Sequence, residues 1–447
     1  MLKINFRKLT YSRFIAFGFL AVILLGTVLL CLPISSESGK NTDFLSALFT
    51  ATSATCVTGL AVYDTGTHWS VFGQSVILFL IQIGGLGFMS VFAMLSVFSK
   101  KKISLSERKI LMQVSGNMRY HGVVALMKRI VFGTIIFEGI GAALLAIRFF
   151  DQMPPATAVY YAVFHSVSAF CNAGFDLMGN FYSTGSFTAY SGDVFVNLVL
   201  MMLIVIGGIG FLVWNDFYDH KFKIKEYCLH SKLALLFSGI LLLFGFIFFL
   251  ISEWNAAFEQ MPVYEKITSA LFQSVTVRTA GFNTVPQGEL SEAGKLVTTI
   301  LMAIGGSPAS TAGGIKTTTV FIVLLSAAAS ARNVKHVTVF KKRIETETIR
   351  QATSIVTIYV CAIFACSALI AMVEPFAASD IIYEVASAAG TVGLSVGITS
   401  GLSVFSKIIL ILLMFFGRIG GLSLVLVLTE KQTPVVLERP VEKILIG

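Results

Sequence analysis

One pattern of apolar and polar positions recurs along this chain. Long apolar runs cover 14–33, 71–98, 124–149, 193–214, 231–252, 296–330, 352–373 and 405–428. As helices rising ~1.5 Å per residue, runs of this length cross a hydrocarbon core roughly 30 Å thick. Within each successive pair of runs lies a shorter semi-apolar segment: 43–55, 156–171, 262–277 and 379–390. These are too short to cross and predict re-entrant helices. Between the pairs there are only basic linkers. The pattern is span, short segment, span, four times over. It divides the chain into repeats at 1–99, 100–230, 231–350 and 351–430, with a tail at 431–447.

Composition agrees. The 447 residues are 55% hydrophobic and 13% charged, with a mean hydropathy of +0.83. Soluble domains carry about 25% charged residues. The expected class is an all-α integral membrane protein. The first run follows a basic start, is longer than a signal-peptide core and has no small-x-small cleavage site after it, so it reads as a retained span. Most lysines and arginines lie in the two tails and three linkers, including Lys100–Lys102, Lys221, Lys223, Lys225 and Lys341–Arg343. By the positive-inside rule that side is cytoplasmic and both termini are inside a cytoplasmic membrane. The other side carries Asp43, Asp64, Asp151, Asp176, Asp193, Glu289 and Asp380. The net charge of +9 therefore reflects topology, not nucleic-acid binding. Six cysteines form no CxxC pair and read as packing.

The short segments end alike, in SATCVTGL (53–60), SAFCNAGF (168–175), TVRTAGFN (276–283) and SAAGTVGL (387–394). A Ser or Thr precedes Gly59, Gly174 and Gly393 by six residues and Gly281 by five. Each repeat then carries an IGG, beginning at Ile83, Ile206, Ile304 and Ile419. Irregular backbone at membrane depth lines water or is buried in protein. Four such tracts can converge on one axis, in a pseudo-fourfold arrangement around one pore. Glycine permits successive carbonyls to aim inward, where they replace the water of a cation. The candidate ligands are Thr55, Cys56, Val57, Thr58 and Gly59; Cys171, Asn172, Ala173 and Gly174; Arg278, Thr279, Ala280 and Gly281; and Gly390, Thr391, Val392 and Gly393. Hydroxyls of Thr58, Thr279 and Thr391 could add to them. The short helices would point their partially negative ends at the pathway. No paired carboxylates or nucleophile–base spacing appears at membrane depth, and His165 stands alone in its segment, so no enzyme is expected.

The sixth run is interrupted by GGSPASTAGGIKTTT (305–319). Gly305, Gly306, Pro308, Gly313 and Gly314 are incompatible with a stable helix interior. A loop at membrane depth is expected there, built also from Ser307, Ala309, Ser310, Thr311 and Ala312. Lys316 is expected to snorkel to the cytoplasmic side. Within the last run the 21 residues 408–428 hold one charge, Arg418, at their centre. An arginine there costs about 3 kcal/mol on insertion scales. Hydration in a cation pathway, with loop carbonyls and the hydroxyls of Ser307, Ser310 and Thr311 as acceptors, would offset it. Loop and arginine would then form a gate, the fixed charge repelling a cation by roughly 1–3 kcal/mol at about 5 Å. The alternative is a structural ion pair with Glu138, the only acid deep in a span.

The four units, each with one tract glycine, resemble the Trk/Ktr/HKT superfamily of potassium transporters over nearly the whole chain. TSATCVTGLAVYDTGTHWS and GGSPASTAGGIKTTT look like those of the bacterial KtrB type of membrane subunit. The resemblance implies that the four glycines bind K+ and that 305–314 is an intramembrane gating loop. A serine in the first tract goes with sodium transport in some plant members; here all four positions are glycine, which implies potassium. Only the first and fourth tracts keep V-T-G or T-V-G order, which suggests looser selectivity. The resemblance also implies a homodimer on a ring of cytosolic regulatory subunits that bind ATP or ADP; nothing in this chain has nucleotide-binding spacing. Two other readings are a sodium or sodium-coupled transporter of the same architecture and an alternating-access carrier for an organic solute.

Overall fold

The computed structural model describes residues 11–87, 123–181, 185–334 and 336–420. The expected span ends at 88–98 and 421–428, most of the 100–129 linker and the tail lie outside these residues.

The first unit runs α1 (Tyr11–Leu30), α2 (Phe44–Thr55), a single turn α3 (Thr65–His68) and α4 (Val71–Leu86). The second is α5 (Val123–Phe149), α6 (Pro155–Phe170), α7 (Val194–Gly208) and α8 (Phe211–His220). The third is α9 (Leu229–Ser252), α10 (Val263–Thr276), α11 (Glu292–Ala303) and α12 (Thr317–Ala331). The fourth is α13 (Thr346–Ala371), α14 (Ala378–Gly390) and α15 (Val404–Ile419). A two-residue hairpin, β1 (Thr338–Val339) with β2 (Lys342–Arg343), lies in the linker before α13.

By length and composition α5, α9 and α13 are long and apolar enough to cross a membrane. The run 193–214 is not one helix. It stops at Gly208, resumes at Phe211 and turns by 92°. Gly210 makes the turn at φ +102°, a conformation that other residues adopt only with strain. The sixth run is also in two pieces, α11 and α12.

The same joint recurs in every unit: the end of the first long helix is tied to the N-cap of the next. Ser70, Asp193, Ser291 and Ser403 each accept a backbone N–H of the helix they open. Ser70 Oγ also donates to the Ile34 carbonyl at 2.6 Å. Asp193 takes Arg148 Nε at 2.6 Å. Glu253 takes Ser291 Oγ at 2.6 Å, and Glu374 takes the Ser403 N–H at 2.8 Å.

Packing then runs in chain order. The short helices α2, α6 and α14 lie against the helices before and after them in their own units, and α10 lies against α9. Each also meets the second long helix of the preceding unit: α4 on α6, α7 on α10, α11 on α14 and α15 on α2. The last contact brings the end of the chain back to its beginning. One core cluster shows the closure in side chains, joining Ile23, Phe49 and Leu60 to Ile363, Val385, Leu410 and Met414.

Candidate functional site

The four tracts leave the C-terminal ends of α2, α6, α10 and α14, and the structure brings their glycines together. A Cβ built on Gly59 would lie 2.5 Å from the Ala173 carbonyl oxygen. One on Gly174 would lie 2.8 Å from that of Ala280, one on Gly281 2.4 Å from that of Val392, and one on Gly393 2.2 Å from that of Thr58. Each glycine thus faces the carbonyl just before the next glycine, and the fourth returns to the first. No side chain fits at any of the four. Their φ angles are +93°, +68°, +85° and +93°. Two residues upstream, Val57, Asn172, Thr279 and Thr391 also have positive φ, 56°, 57°, 71° and 52°. This alternation of hand turns successive carbonyls toward the same side. The carbonyls of Thr58, Ala173, Ala280 and Val392 accept no hydrogen bond among the described residues. A buried acceptor without a donor is costly, and a dehydrated cation is what such oxygens suit.

The Ser and Thr at the tract starts hold this backbone. Gly59 N–H donates to Ser53 Oγ and Gly393 N–H to Ser387 Oγ, both at 3.1 Å. Ser168 Oγ and Thr276 Oγ1 instead donate to the carbonyls of Phe175 and Phe282, both at 2.7 Å. The third tract is one residue shorter: Ala280 N–H reaches back four residues to Thr276, whereas Thr58, Ala173 and Val392 reach back five.

Several expected ligands lie off this ring. Thr55 and Gly390 end their helices against α4 and α11. Cys171 turns its thiol to Gln82 Oε1 (3.6 Å) and Glu138 Oε1 (3.8 Å). Arg278 points outward, donating to the carbonyl and hydroxyl of Ser238 on α9 at 3.3 and 3.2 Å. The Thr58 and Thr391 hydroxyls are buried without a partner, while Thr279 Oγ1 lies 3.3 Å from the Asn172 side-chain amide.

The loop between α11 and α12 is a closed body. Its ends pair as a short parallel bridge: Gly305 N–H donates to Ile315, Ile315 N–H to Ala303 and Thr317 N–H to Gly306. It abuts the fourth tract, where a Cβ on Gly313 would lie 2.0 Å from Thr391 Oγ1. It abuts the second where Thr311 Oγ1 donates to the Phe170 carbonyl at 3.2 Å. It is also tethered to the α7–α8 break, a contact the sequence did not announce. Ser307 N–H donates to Gly208, Thr311 N–H to Gly207 and Phe211 N–H to Ala309, at 3.0, 3.3 and 2.6 Å.

Arg418 meets this loop from the opposite side. Nη1 donates to the Thr311 carbonyl, and Nη2 to the carbonyls of Gly84 and Gly85. Three main-chain oxygens, two at the end of α4, replace the water of the charge. The ion pair with Glu138 is not formed; that carboxylate takes Gln82 Nε2 at 3.1 Å. The loop hydroxyls are not acceptors for Arg418 either. Ser310 Oγ donates to the Ser307 carbonyl, Ser307 Oγ meets Thr317 Oγ1, and the Thr311 hydroxyl is used as above. Nor does Lys316 snorkel. Its ammonium folds back onto the loop carbonyls of Ala312 (2.5 Å) and Gly313 (3.5 Å).

One register is corrected. Gly84, Gly207 and Gly417 occupy equivalent places, each with its Cβ position 2.0–2.2 Å from the carbonyl four residues before a tract glycine: Thr55, Phe170 and Ala389. Helix ends follow three residues later at Gly87, Gly210 and Gly420, all with positive φ. The equivalent strings are therefore GGLG (84–87), GGIG (207–210) and GRIG (417–420), and the fourth IGG lies three residues out of register. Arg418 stands where the first two units have the second glycine. Aligning the strings on their final glycine would have revealed this from sequence.

Comparison with known proteins agrees with this geometry. The family model described as TrkH, cation transport protein, matches residues 10–434. The chain is 39% identical to the potassium/sodium uptake protein NtpJ of Enterococcus hirae, over 99% of this chain and 98% of that one. It is 38% identical to the Ktr system potassium uptake protein B of Bacillus subtilis, over 94% of each. The crystal structure of the potassium transporter TrkH from Vibrio parahaemolyticus superposes with a TM-score of 0.70 at 20% identity, covering 93% of this chain and 85% of that one. These relatives are transporters, not enzymes. A ring of four glycine tracts, a closed loop against it and matches of this extent have one explanation: the chain belongs to the TrkH family of cation transport proteins.

Proposed function

We propose that this protein carries potassium into the cell through the ring formed by its four tracts, arranged with pseudo-fourfold symmetry about one pore. The observation that carries the reading is the cyclic contact of Gly59, Gly174, Gly281 and Gly393, each against an unpartnered carbonyl of the next tract. A monovalent cation on the axis would exchange its water for these oxygens, and the helix C-termini behind them add negative potential. One short ring offers fewer sites than a long filter, which favours modest discrimination. The names of the Ktr relatives support potassium as the cargo.

The loop 305–316 and Arg418 would act together as the gate. The loop touches two of the tracts, and Arg418 fastens it to α4 with a fixed positive charge. Opening requires the loop to leave both contacts. The Ktr relatives are named as parts of a system, which supports a separate regulator; a soluble ring that binds ATP or ADP, and a homodimer of this chain with both termini cytoplasmic, complete the reading. The test is 86Rb+ and 22Na+ uptake by purified protein in liposomes. Uptake of rubidium that potassium competes and that Gly281→Ala or Gly393→Ala abolishes supports it; uptake indifferent to these changes refutes it.

A second reading has one supporting observation: the Enterococcus relative is named for both potassium and sodium. Sodium-dependent rubidium uptake in the same vesicles would favour it.

A further inference from the structure

Beside the α7–α8 bend lies a cavity of about 830 Å3. Its wall is apolar, formed by Leu126, Ile130, Phe137, Val205 and Leu235 of α5, α7 and α9 and by Ile209 in the bend. Its rim is polar and basic, with Arg129, Asn215 and Lys221. This combination sits on the side where basic residues gather: Lys128, Lys223, Lys225 and Lys232 follow within the same helix ends. Arg129 is held in place, donating to Asn215 at 2.6 Å and Asp219 at 3.0 Å and covering the Tyr218 ring at 4.1 Å. Lys221 is exposed and makes no ion pair among the described residues. A deep apolar wall with a cation at its mouth, beside the basic face of a membrane protein, matches the chemistry of an anionic phospholipid.

The wall is mechanically joined to the loop. Trp214 lines the cavity, donates Nε1 to the Ile206 carbonyl at 3.1 Å and packs on Phe137 and Phe170 at 5.1 and 5.7 Å. Phe170 in turn accepts the Thr311 hydroxyl, and Phe211, also in the wall, donates its N–H to Ala309. Whatever fills the cavity therefore bears on the bend from which the loop hangs.

We propose that an anionic phospholipid of the cytoplasmic leaflet binds in this cavity, its acyl chains on the α5–α7–α9 wall and its phosphate on Lys221, and that occupancy sets the position of the α7–α8 bend and thereby of the loop 305–316. The binding half stands alone; the regulatory half rests on the conduction reading above. Two readouts keep them apart. Native mass spectrometry of the purified full chain, exchanged into detergent with phosphatidylglycerol or phosphatidylcholine, counts retained lipid. 86Rb+ uptake into phosphatidylcholine vesicles, with and without phosphatidylglycerol, reads the gate. Wild type is expected to retain phosphatidylglycerol preferentially, Lys221→Gln to lower that retention about fivefold, and Leu235→Trp, which narrows the cavity at its apolar wall, to lower it as well. Uptake should respond to phosphatidylglycerol in wild type and not in either variant. Equal retention of both lipids, or equal retention by all three proteins, overturns the site. A lipid response of uptake that is the same in all three proteins overturns the regulation. Retention as expected with no uptake in any lipid would count against conduction and leave the site standing. If lipid retention is equal throughout and Leu235→Trp alters only the response to an added soluble subunit, the cavity holds a protein segment and the proposal fails.

Discussion

Arg418 carries its charge at the C-terminal ends of two helices, its own and α4, where exposed carbonyls make a cation welcome. Its burial is thus explained without an acid. The same guanidinium holds the Thr311 carbonyl, so under the proposed gate the side chain that would repel a permeating cation also fastens the loop. Arg418→Gln should loosen the fastening and remove the repulsion, raising 86Rb+ flux about tenfold with the Rb+/Na+ ratio unchanged. Unchanged flux in protein that elutes as wild type would refute the gate. Gly59 predicts the converse. Its φ of +93° and the Ala173 oxygen 2.5 Å from a Cβ leave Gly59→Ser no unstrained position. That variant should alter the Rb+/Na+ ratio and cut flux at least about tenfold, the strain alone being roughly 1–3 kcal/mol. Asp176, just beyond the second tract, supplies a pH dependence. Burial and the neighbouring Asp64 push its carboxyl up to about 7 from an ordinary 3.8. The folded chain binds this proton more tightly than the unfolded chain, so its stabilisation is full below the ordinary value and is lost as pH rises through about 7. Across the same interval a negative charge develops beside the ring. The half-saturating Rb+ concentration should therefore fall between pH 6 and pH 8 by about twofold, and Asp176→Asn should flatten the profile.

The long helices α5, α9 and α13 were legible from the lengths of the apolar runs, because the bilayer sets those lengths; the runs 71–98 and 405–428 instead leave the helix at Gly87 and Gly420, glycines that hydropathy passes over. The interruption of the sixth run was legible because five Gly and Pro residues crowd into it. The bend in the fourth run was not. Phe211, Leu212, Val213 and Trp214 continue the apolar pattern past Gly210, so hydropathy sees one span where the backbone turns by 92°. The glycine tracts were visible as repeats, yet side-chain direction was not: Arg278 and Cys171 sit in the tract strings but turn away from the ring, since only the backbone there faces the shared centre. The tether between the loop and Gly207–Gly208 was invisible because main-chain bonds leave no residue signature. The loop as an element yields its own prediction. Gly313→Ala would drive a methyl into Thr391 Oγ1, 2.0 Å away, and wedge the loop off the fourth tract. Flux should rise by roughly threefold, about 0.7 kcal/mol, and a second change, Thr391→Ala, should cancel most of that rise by making room. A double variant as fast as the single one would argue that loop and tract are uncoupled.

At the scale of the whole molecule the four units have no closure except through one another. Each short helix packs on the first long helix of its own unit and on α15, α4, α7 or α11 of the preceding one, and the first unit is held by the fourth. The ring at the centre works against this closure. It places the Thr58, Ala173, Ala280 and Val392 carbonyls side by side without donors, and dipoles so aligned repel. A cation shared among them turns that repulsion into a link between all four units. The cargo should then be a stabiliser of the fold, not a passer-by. For a ligand that binds only the folded state, a concentration 100 times its dissociation constant adds about 2.7 kcal/mol. Purified protein should unfold at a higher temperature in potassium or rubidium than in lithium or choline at equal ionic strength, with sodium between them. The effect should vanish in Gly393→Ala, whose Cβ would meet the Thr58 oxygen at 2.2 Å. Salt acting through surface charge would shift wild type and variant alike in every chloride, so equal shifts would mean that the four tracts do not share an ion.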